Sequence, residues 1–177
     1  MATVYSYWLL PAAPAAAAFK ARIDELAVRY DAVAFEPHVT LYTGSSDDGE
    51  VAQTLDFLRA SFRPLPLAPF VVAQSSRLTK TLYVRLELTP ELAALAATLK
   101  ARARQPSASV LDDPHVSLMY QAIAEDERAK LAAEIPVPAP FMGDGIAVIE
   151  TEVPITELDQ VRRWRFVARF RHGQSPD

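Results

Sequence analysis

Hydrophobic and polar residues follow two kinds of spacing along this chain, and each kind predicts a different element. Hydrophobic side chains recur every three or four residues in four segments. These segments predict helices over residues 15–30, from a polar cap at 45–48 to about 62, from 89 to 99 and over about 125–134. Strands are predicted where aromatic, β-branched or alternating residues dominate, over residues 4–10, 38–42, 70–78, 81–88, 115–120, 145–153 and 162–171.

The order of these elements repeats once. A helix, a strand that begins Pro-His-Val and a further helix with acidic residues near its start follow one another in each half of the chain. The histidines of the two strands, His38 and His115, lie almost half the chain apart. This order predicts two related lobes within a single domain of residues 1–177. The polar tail, residues 172–177, is predicted to be disordered.

Length and composition are those of a globular protein. The chain has 177 residues, of which 50% are hydrophobic and 23% charged, enough to bury a core. Pro11 and Pro14 interrupt the first apolar stretch and no basic segment precedes it, so we expect no signal peptide, no membrane span and a cytoplasmic location. The absence of cysteine excludes disulfides and thiolate chemistry. A formal charge of −4 disfavours a polynucleotide interface but permits a local basic pocket for a small anion.

Two nearly identical pentapeptides carry the candidate chemistry. Residues 37–41 read PHVTL and residues 114–118 read PHVSL. Side chains alternate between the two faces of a strand, so His38 and Thr40 share one face, as do His115 and Ser117. Each motif therefore presents an imidazole beside a hydroxyl. Two copies facing one another would form a pocket with four polar groups.

Such a pocket suits attack on a phosphodiester. A neutral imidazole can take a proton from water, and a protonated imidazole can give one to the departing alkoxide. Histidine serves both purposes because its ordinary pKa of about 6.5 lets either form exist near neutral pH. The hydroxyls of Thr40 and Ser117 can donate to the non-bridging phosphate oxygens. The residues do not distinguish which histidine is the base and which the acid.

Other interpretations of these residues are weaker. A single histidine on a strand is more often a packed residue than a catalyst, but two matched motifs in a chain with three histidines favour function. A metal site is disfavoured because the chain has no cysteine and no HExxH spacing, so we expect no metal and no cofactor. His172, beside the polar tail, is expected to be solvated.

The chain resembles the two-histidine phosphoesterase superfamily and, within it, the small cyclic phosphodiesterase family. The opening VYSYWLLP, the phrases FEPHVTL and DDPHVSLMY and the closing strands at residues 147–170 carry the resemblance, which covers nearly the whole chain. It implies an α+β bilobal fold in which two antiparallel sheets face a central cleft and helices pack outside. It also implies hydrolysis of nucleoside 2′,3′-cyclic phosphates to 2′-phosphates, or of the cyclic phosphate of ADP-ribose formed in tRNA splicing.

The resemblance also implies roles for individual residues. It makes His38 and His115 catalytic and assigns substrate contacts to Thr40, Ser117, Tyr120 and Trp8. Strict alternation would turn Tyr120 away from the face of Ser117 unless the strand bends. Trp8 matches an aromatic residue of the family's first strand. The plant pattern includes two cysteines that this chain lacks, so the resemblance implies no redox control here.

A further segment has a basic character that bears on phosphate binding. Ser75, Ser76, Arg77 and Lys80 precede a predicted strand and could supply a cation to the phosphate. The expected structure for these residues is nevertheless a solvated turn.

Two alternative functions stay open. An RNA-end phosphoesterase or 2′,5′-RNA ligase-like enzyme of the same superfamily would use the same groups, although the net charge disfavours a polynucleotide partner. A non-catalytic nucleotide-binding module would keep the cleft without the chemistry. The leading hypothesis is a monomeric enzyme whose partner is a small-molecule cyclic phosphate.

Overall fold

Helices and strands alternate along the chain in the computed structural model, which describes residues 2–44, 48–103 and 109–173. The strands are β1 (Ala2–Pro11), β2 (Val39–Gly44), β3 (Leu65–Leu67), β4 (Pro69–Gln74), β5 (Leu82–Leu86), β6 (Ser109–Val110), β7 (His115–Met119), β8 (Phe141–Val153) and β9 (Arg165–Arg171). The helices are α1 (Ala13–Tyr30), α2 (Asp48–Ser61), α3 (Pro90–Arg102), α4 (Glu125–Glu134) and α5 (Leu158–Arg162), and a 3₁₀ turn at Leu78–Lys80 precedes β5.

Two antiparallel sheets form the α+β fold, which confirms the predicted fold class. The larger sheet has the order β3-β8-β1-β2-β6, and β9 pairs with β8 as well. Strands β3 and β9 share the outer edge of β8, where they pair with residues 141–143 and 145–150 respectively. The smaller sheet has the order β4-β5-β7. Each histidine motif therefore belongs to a different sheet, with β2 in the larger and β7 in the smaller.

The four predicted helices are present, and α1 shows how they attach to the sheets. It runs for 18 residues and buries Phe19, Ile23, Leu26 and Ala27, which recur at helical spacing on one face. The helix ends where Asp31 adopts a left-handed conformation with φ of 51° and its N–H bonds to the carbonyl of Ala27. In the described parts of the chain, no helix has the length and apolar character needed to cross a bilayer.

Three predicted strands are wrong at one end. The strand predicted over residues 145–153 begins at Phe141, where β3 pairs with its first residues. The strand predicted over residues 162–171 begins at Arg165, because Glu157 and Gln160 cap the start of helix α5 with reciprocal side-chain hydrogen bonds. The strand predicted over residues 70–78 ends at Gln74. The chain then turns, and the N–H of Ser75 bonds to the carbonyl of Thr81 at 3.1 Å.

Short or terminal segments account for the remaining differences. Strands β3 and β6 have three and two residues, too few for a detectable spacing pattern. The predicted polar cap at residues 45–47 and the end of the tail, residues 174–177, lie outside the described residues. The described start of the tail is held in place, since the backbone N–H of His172 donates to the carbonyl of Asp144 at 2.8 Å. The His172 side chain is exposed.

Apolar residues within both motifs anchor them in one hydrophobic core. Val39, Leu41, Val116 and Leu118 are all fully or almost fully buried and belong to the same cluster. Burying each such side chain stabilises the fold by about 1.5–3 kcal/mol. These anchors determine which face of each strand is turned inward, and hence where the polar residues between them point.

Candidate active site

The two sheets face each other across a cavity of about 260 Å³. All six residues singled out from the sequence line this cavity, namely Trp8, His38, Thr40, His115, Ser117 and Tyr120. The first three come from the larger sheet or the segment leading into it, and the last three come from β7 or the residue after it. The fold therefore brings both motifs to one cleft, as their repetition predicted.

Both imidazoles are held in the same tautomer by the same backbone contact. The Nδ1 atom of His38 lies 2.6 Å from the carbonyl oxygen of Glu36, and Nδ1 of His115 lies 2.7 Å from that of Asp113. A carbonyl oxygen only accepts, so each Nδ1 carries a proton and donates it. In the neutral ring this leaves Nε2 as the basic nitrogen. The residue two positions before each histidine thus orients a ring that can exchange protons through Nε2.

A bulge follows the hydroxyl residue in each motif. Thr40 pairs with Trp8 and Tyr42 with Tyr7, so Leu41 is an extra residue on β2. On β7, Ser117 pairs with Tyr83 and Met119 with Leu82, which makes Leu118 the extra residue. An extra residue reverses the alternation of side chains beyond it. The bulge at Leu118 explains why Tyr120 lines the cavity together with Ser117, contrary to strict alternation.

Aromatic rings enclose His38. The indole of Trp8 stacks on the imidazole with 3.5 Å between ring centroids and an angle of 7°. Trp164 and Phe35 meet it edge-on, at 6.0 and 6.2 Å. The side chain is 6% exposed. Burial lowers the pKa of His38 to about 3, and the neighbouring charge of His115 adds to that lowering, so the ring is neutral over the physiological range.

Charged groups surround His115 instead. Lys80 and Arg85 both pair with the carboxylate of Asp113, the residue whose carbonyl holds the imidazole. The Tyr83 ring meets His115 edge-on at 5.3 Å and carries Lys80 above its face at 4.5 Å. Burial lowers the pKa of His115, the hydrogen bond to Asp113 opposes this, and the charge of Lys80 reinforces it.

Asp113 is the centre of this charged group. Burial alone would raise the pKa of its carboxyl, but the hydrogen bonds and charges of Lys80 and Arg85 hold that pKa below its usual value. The expectation of a solvated turn is wrong for Lys80, whose side chain is 13% exposed and lines the cavity. Arg77 also lines the cavity and is exposed, whereas Ser76 is exposed outside it.

The two motif hydroxyls differ in their hydrogen bonds. Ser117 Oγ donates to the carbonyl of Thr79 at 3.1 Å. Ser117 also lies within hydrogen-bond reach of the Tyr120 hydroxyl. Burial raises the pKa of this phenol, and the hydrogen bond to Ser117 opposes that rise. The Thr40 hydroxyl makes no hydrogen bond to another described residue and is turned to the cavity. The Thr40 hydroxyl therefore has its proton available to the cavity, whereas the proton of Ser117 already has an acceptor.

Trp164 is an aromatic cleft residue that the sequence pattern did not reveal. It follows α5 and contacts Trp8, His38 and Tyr120, with ring centroids 5.1, 6.0 and 5.9 Å away. These contacts join residues of both sheets. The signal in the sequence is a lone tryptophan within an arginine-rich segment, residues 162–165, where a solvated strand would not need one.

The cleft also contains polar residues outside the motifs. Ser6, Thr43 and Thr151 extend its floor along the larger sheet, and Asp112 stands at its rim beside Asp113. In the described residues, no three His, Asp or Glu side chains come together in a group that could hold a metal ion.

Comparison with known proteins gives one family and a set of similar structures. The family described as the 2′-5′ RNA ligase superfamily matches residues 11–154. Comparison with curated protein sequences finds no match. Among solved structures, Escherichia coli LigT complexed with 3′-AMP is 19% identical, with a TM-score of 0.55 over 96% of this chain and 97% of that chain.

Two further structures show the same architecture. The protein TT0787 of Thermus thermophilus is 15% identical, with a TM-score of 0.61 over 95% of this chain and 97% of that chain. A structure described as a phosphoesterase is 16% identical, with a TM-score of 0.54 over 98% of this chain and 100% of that chain. At these identities the likeness establishes the fold, and it extends over nearly the full length of each compared chain.

Proposed function

The chain belongs to the 2′-5′ RNA ligase superfamily, and from this membership we propose that it is a metal-independent cyclic phosphodiesterase acting on small nucleotides. Members of this superfamily are phosphoesterases and ligases, so phosphoryl transfer is the general chemistry. The substrate is a nucleoside 2′,3′-cyclic phosphate or the cyclic phosphate of ADP-ribose. Structures of LigT hold 3′-AMP, ATP and NADP+, which supports a ligand of this size for the shared fold.

The observation that carries this proposal is the matched pair of imidazoles on one small cavity. His38 and His115 come from different sheets, and each donates its Nδ1 proton to a backbone carbonyl two residues earlier. Their Nε2 atoms are left for proton transfer. A packing role for two histidines would not require the same tautomer, the same backbone lock and one shared cavity.

Different surroundings support different roles for the two rings. His38 is enclosed by aromatic rings and stays neutral, which a general base requires. His115 lies beside a carboxylate and its cations. Burial lowers the pKa of this ring, but the hydrogen bond to the Asp113 carbonyl opposes that lowering and supports a role as the acid. In the proposed reaction His38 takes a proton from water as the water oxygen bonds to phosphorus. The bond from phosphorus to the ribose 3′ oxygen breaks, and His115 gives that oxygen its proton.

The motif hydroxyls hold the phosphate during this step. Thr40 donates to one non-bridging oxygen, and Ser117 does so after its hydroxyl rotates away from the carbonyl of Thr79. Each preorganised donor of this kind contributes about 10²–10³ in rate where it has been removed from other enzymes. The product is the nucleoside 2′-phosphate. Proton exchange with solvent restores both histidines.

Turnover of a nucleoside 2′,3′-cyclic phosphate in excess EDTA tests the proposal. We expect the wild-type protein to be active, and His38→Ala and His115→Ala to lose activity by about 10² or more. His172→Ala is the matched control, since it removes an exposed imidazole far along the chain from both motifs. Turnover retained in either motif variant would exclude the mechanism.

An activated leaving group tests the division of roles. A phosphodiester that releases 4-nitrophenolate needs little help from a general acid, so His115→Ala should recover much of its activity on it. His38→Ala should not recover, because water still needs a base. Recovery in His38→Ala alone would reverse the assignment of base and acid.

A second candidate function follows from the family description. An RNA-end phosphoesterase or 2′,5′-RNA ligase would use the same cleft on a longer substrate. The formal charge of −4 weighs against it, because non-specific nucleic-acid binding depends on phosphate neutralisation by Lys and Arg. Comparing a cyclic mononucleotide with an oligonucleotide that ends in a cyclic phosphate separates the two. A large preference for the oligonucleotide would favour this candidate.

A further inference from the structure

A pair of hydroxyls lies next to the proposed catalytic centre on the floor of the same cleft. Ser6 pairs with Thr43 across β1 and β2, and Trp8 pairs with Thr40 on the same two strands. Ser6 is two residues from Trp8, a distance of about 7 Å along a strand. All four side chains line the cavity. Along the two strands, the Ser6–Thr43 pair therefore lies beyond the Trp8–Thr40 pair as seen from His38. It adjoins the Thr40 hydroxyl that is proposed to bind the phosphate.

Hydrogen bonds within this pair leave one proton without an acceptor. Trp8 Nε1 donates to Ser6 Oγ at 2.9 Å, and Ser6 Oγ lies 2.9 Å from Thr43 Oγ1. The two hydroxyls carry one proton each, but only one proton can lie between them. Whichever hydroxyl donates within the pair, the proton of the other finds no acceptor among the described residues. Ser6 is 5% exposed and has Trp8 and Thr43 as partners, whereas Thr43 is half-buried and lines the cleft, where a ligand could accept the remaining proton.

The surroundings of the pair indicate a neutral ligand group. The charged residues that line the cleft are Arg77, Lys80, Asp112 and Asp113, which belong to the segments beside His115. The residues that line the cleft along β8 beyond the pair are Thr151 and Val153, which are hydroxylic and apolar. A hydroxyl pair both donates and accepts, and it carries no charge that would hold a second phosphate. The edge of a nucleobase presents the matching set of donors and acceptors.

We propose that Ser6 and Thr43 form a recognition subsite for the hydrogen-bonding edge of a nucleobase, adjoining the cyclic-phosphate site. This inference rests on the proposed function, because the phosphate must lie between the two histidines for the base to reach the pair. The Ser6 hydroxyl has a second purpose here, since it holds the indole that stacks on His38. Substrates without a base would bind through the phosphate alone.

The test compares kcat/KM for a nucleoside 2′,3′-cyclic phosphate with that for 1-O-methylribose 2,3-cyclic phosphate, which lacks the base. We expect the double variant Ser6→Ala/Thr43→Val to lower the preference for the base-bearing substrate by about fivefold, equivalent to about 1 kcal/mol. Each single variant keeps one free hydroxyl proton and should retain most of that preference. Thr43→Ser keeps the hydroxyl and should retain it fully.

A matched control separates recognition from structural damage. Thr54→Val removes a buried hydroxyl that contacts Tyr7, outside the cleft, and should leave the preference unchanged. Displacement of Trp8 in the double variant would slow both substrates alike, and the ratio of the two kcat/KM values is insensitive to such a loss. An unchanged ratio in the double variant, or no preference in the wild-type protein, would overturn the subsite.

Failure of the subsite and failure of the proposed function give different results. Turnover of both substrates with an unchanged ratio in the double variant overturns the subsite and leaves the phosphodiesterase proposal standing. No turnover of either substrate by the wild-type protein overturns the proposed function. If the double variant does not fold, a crystal structure of the wild-type protein with a nucleoside 2′-monophosphate decides the matter. A base edge within hydrogen-bond distance of Ser6 or Thr43 supports the subsite, and a base placed elsewhere overturns it.

Discussion

The burial of His38 should make the stability of the protein fall in mild acid. The folded protein keeps this imidazole against the face of Trp8 with 6% exposure, and its pKa is about 3. In the unfolded chain the same ring has its ordinary pKa of 6.5. Below pH 6.5 the unfolded chain therefore binds a proton that the folded protein does not, and acidification favours unfolding.

The magnitude follows from the two pKa values. At pH 5 the unfolded ring is almost entirely protonated and the folded ring almost entirely neutral. The proton then stabilises the unfolded state by about 2 kcal/mol relative to pH 8. The loss grows by about 1.4 kcal/mol for each further pH unit until the pH approaches 3. A loss of about 2 kcal/mol is a large share of the 5–15 kcal/mol typical of a domain.

Urea unfolding of the wild-type protein and of His38→Asn at pH 8 and pH 5 measures this contribution. Asparagine does not titrate, so the variant should lose about 2 kcal/mol less than the wild-type protein between the two pH values. Contributions from the other titrating groups appear in both proteins and cancel in the difference. His172→Asn, which removes an exposed imidazole, is the control. An equal loss in wild type and His38→Asn would refute the neutral, enclosed imidazole.

Three further predictions concern the neighbours of the two motifs. Trp8→Leu should admit water to the ring of His38 and so raise its pKa. The acidic limb of the pH profile of kcat/KM should then move upward, toward 6.5, and an unmoved limb would show that the indole does not set this pKa. Asp113→Asn should leave Lys80 and Arg85 without their carboxylate and so lower the pKa of His115 further. The alkaline limb of the same profile should move to lower pH, and a move to higher pH would argue against this charge arrangement. Tyr42→Phe removes a buried hydroxyl that has no partner among the described residues, so urea unfolding should show unchanged stability or a gain of about 1 kcal/mol, and a clear loss would reveal a partner.

Side-chain spacing was sufficient to predict the elements that carry the site. The alternation within PHVTL and PHVSL placed His38 beside Thr40 and His115 beside Ser117, and the apolar residues between them are buried as expected. Repetition of the motif also predicted that two segments far apart in sequence would face one cleft. These features are local, or they repeat a local pattern, so the sequence carries them directly.

Features that depend on pairing between distant strands were not predictable from spacing. The bulges at Leu41 and Leu118 exist only in relation to the partner strands, and the second of them decides on which side Tyr120 lies. Trp164 reaches the cleft because a short helix replaces the start of a predicted strand. Lys80 is buried through its pairing with Asp113, which is 33 residues away in the chain. The basic residues of this segment indicated a cation for the phosphate, but nothing in the spacing indicated that Lys80 pairs with Asp113.

The central claim, that the two imidazoles act on one phosphate, is tested most directly by a crystal structure of the protein with inorganic phosphate. The account predicts a single phosphate in the cleft, with oxygens within about 3.2 Å of Nε2 of both His38 and His115 and of the Thr40 hydroxyl. A phosphate that touches one ring alone, or that binds at Arg77 away from both rings, would contradict the account.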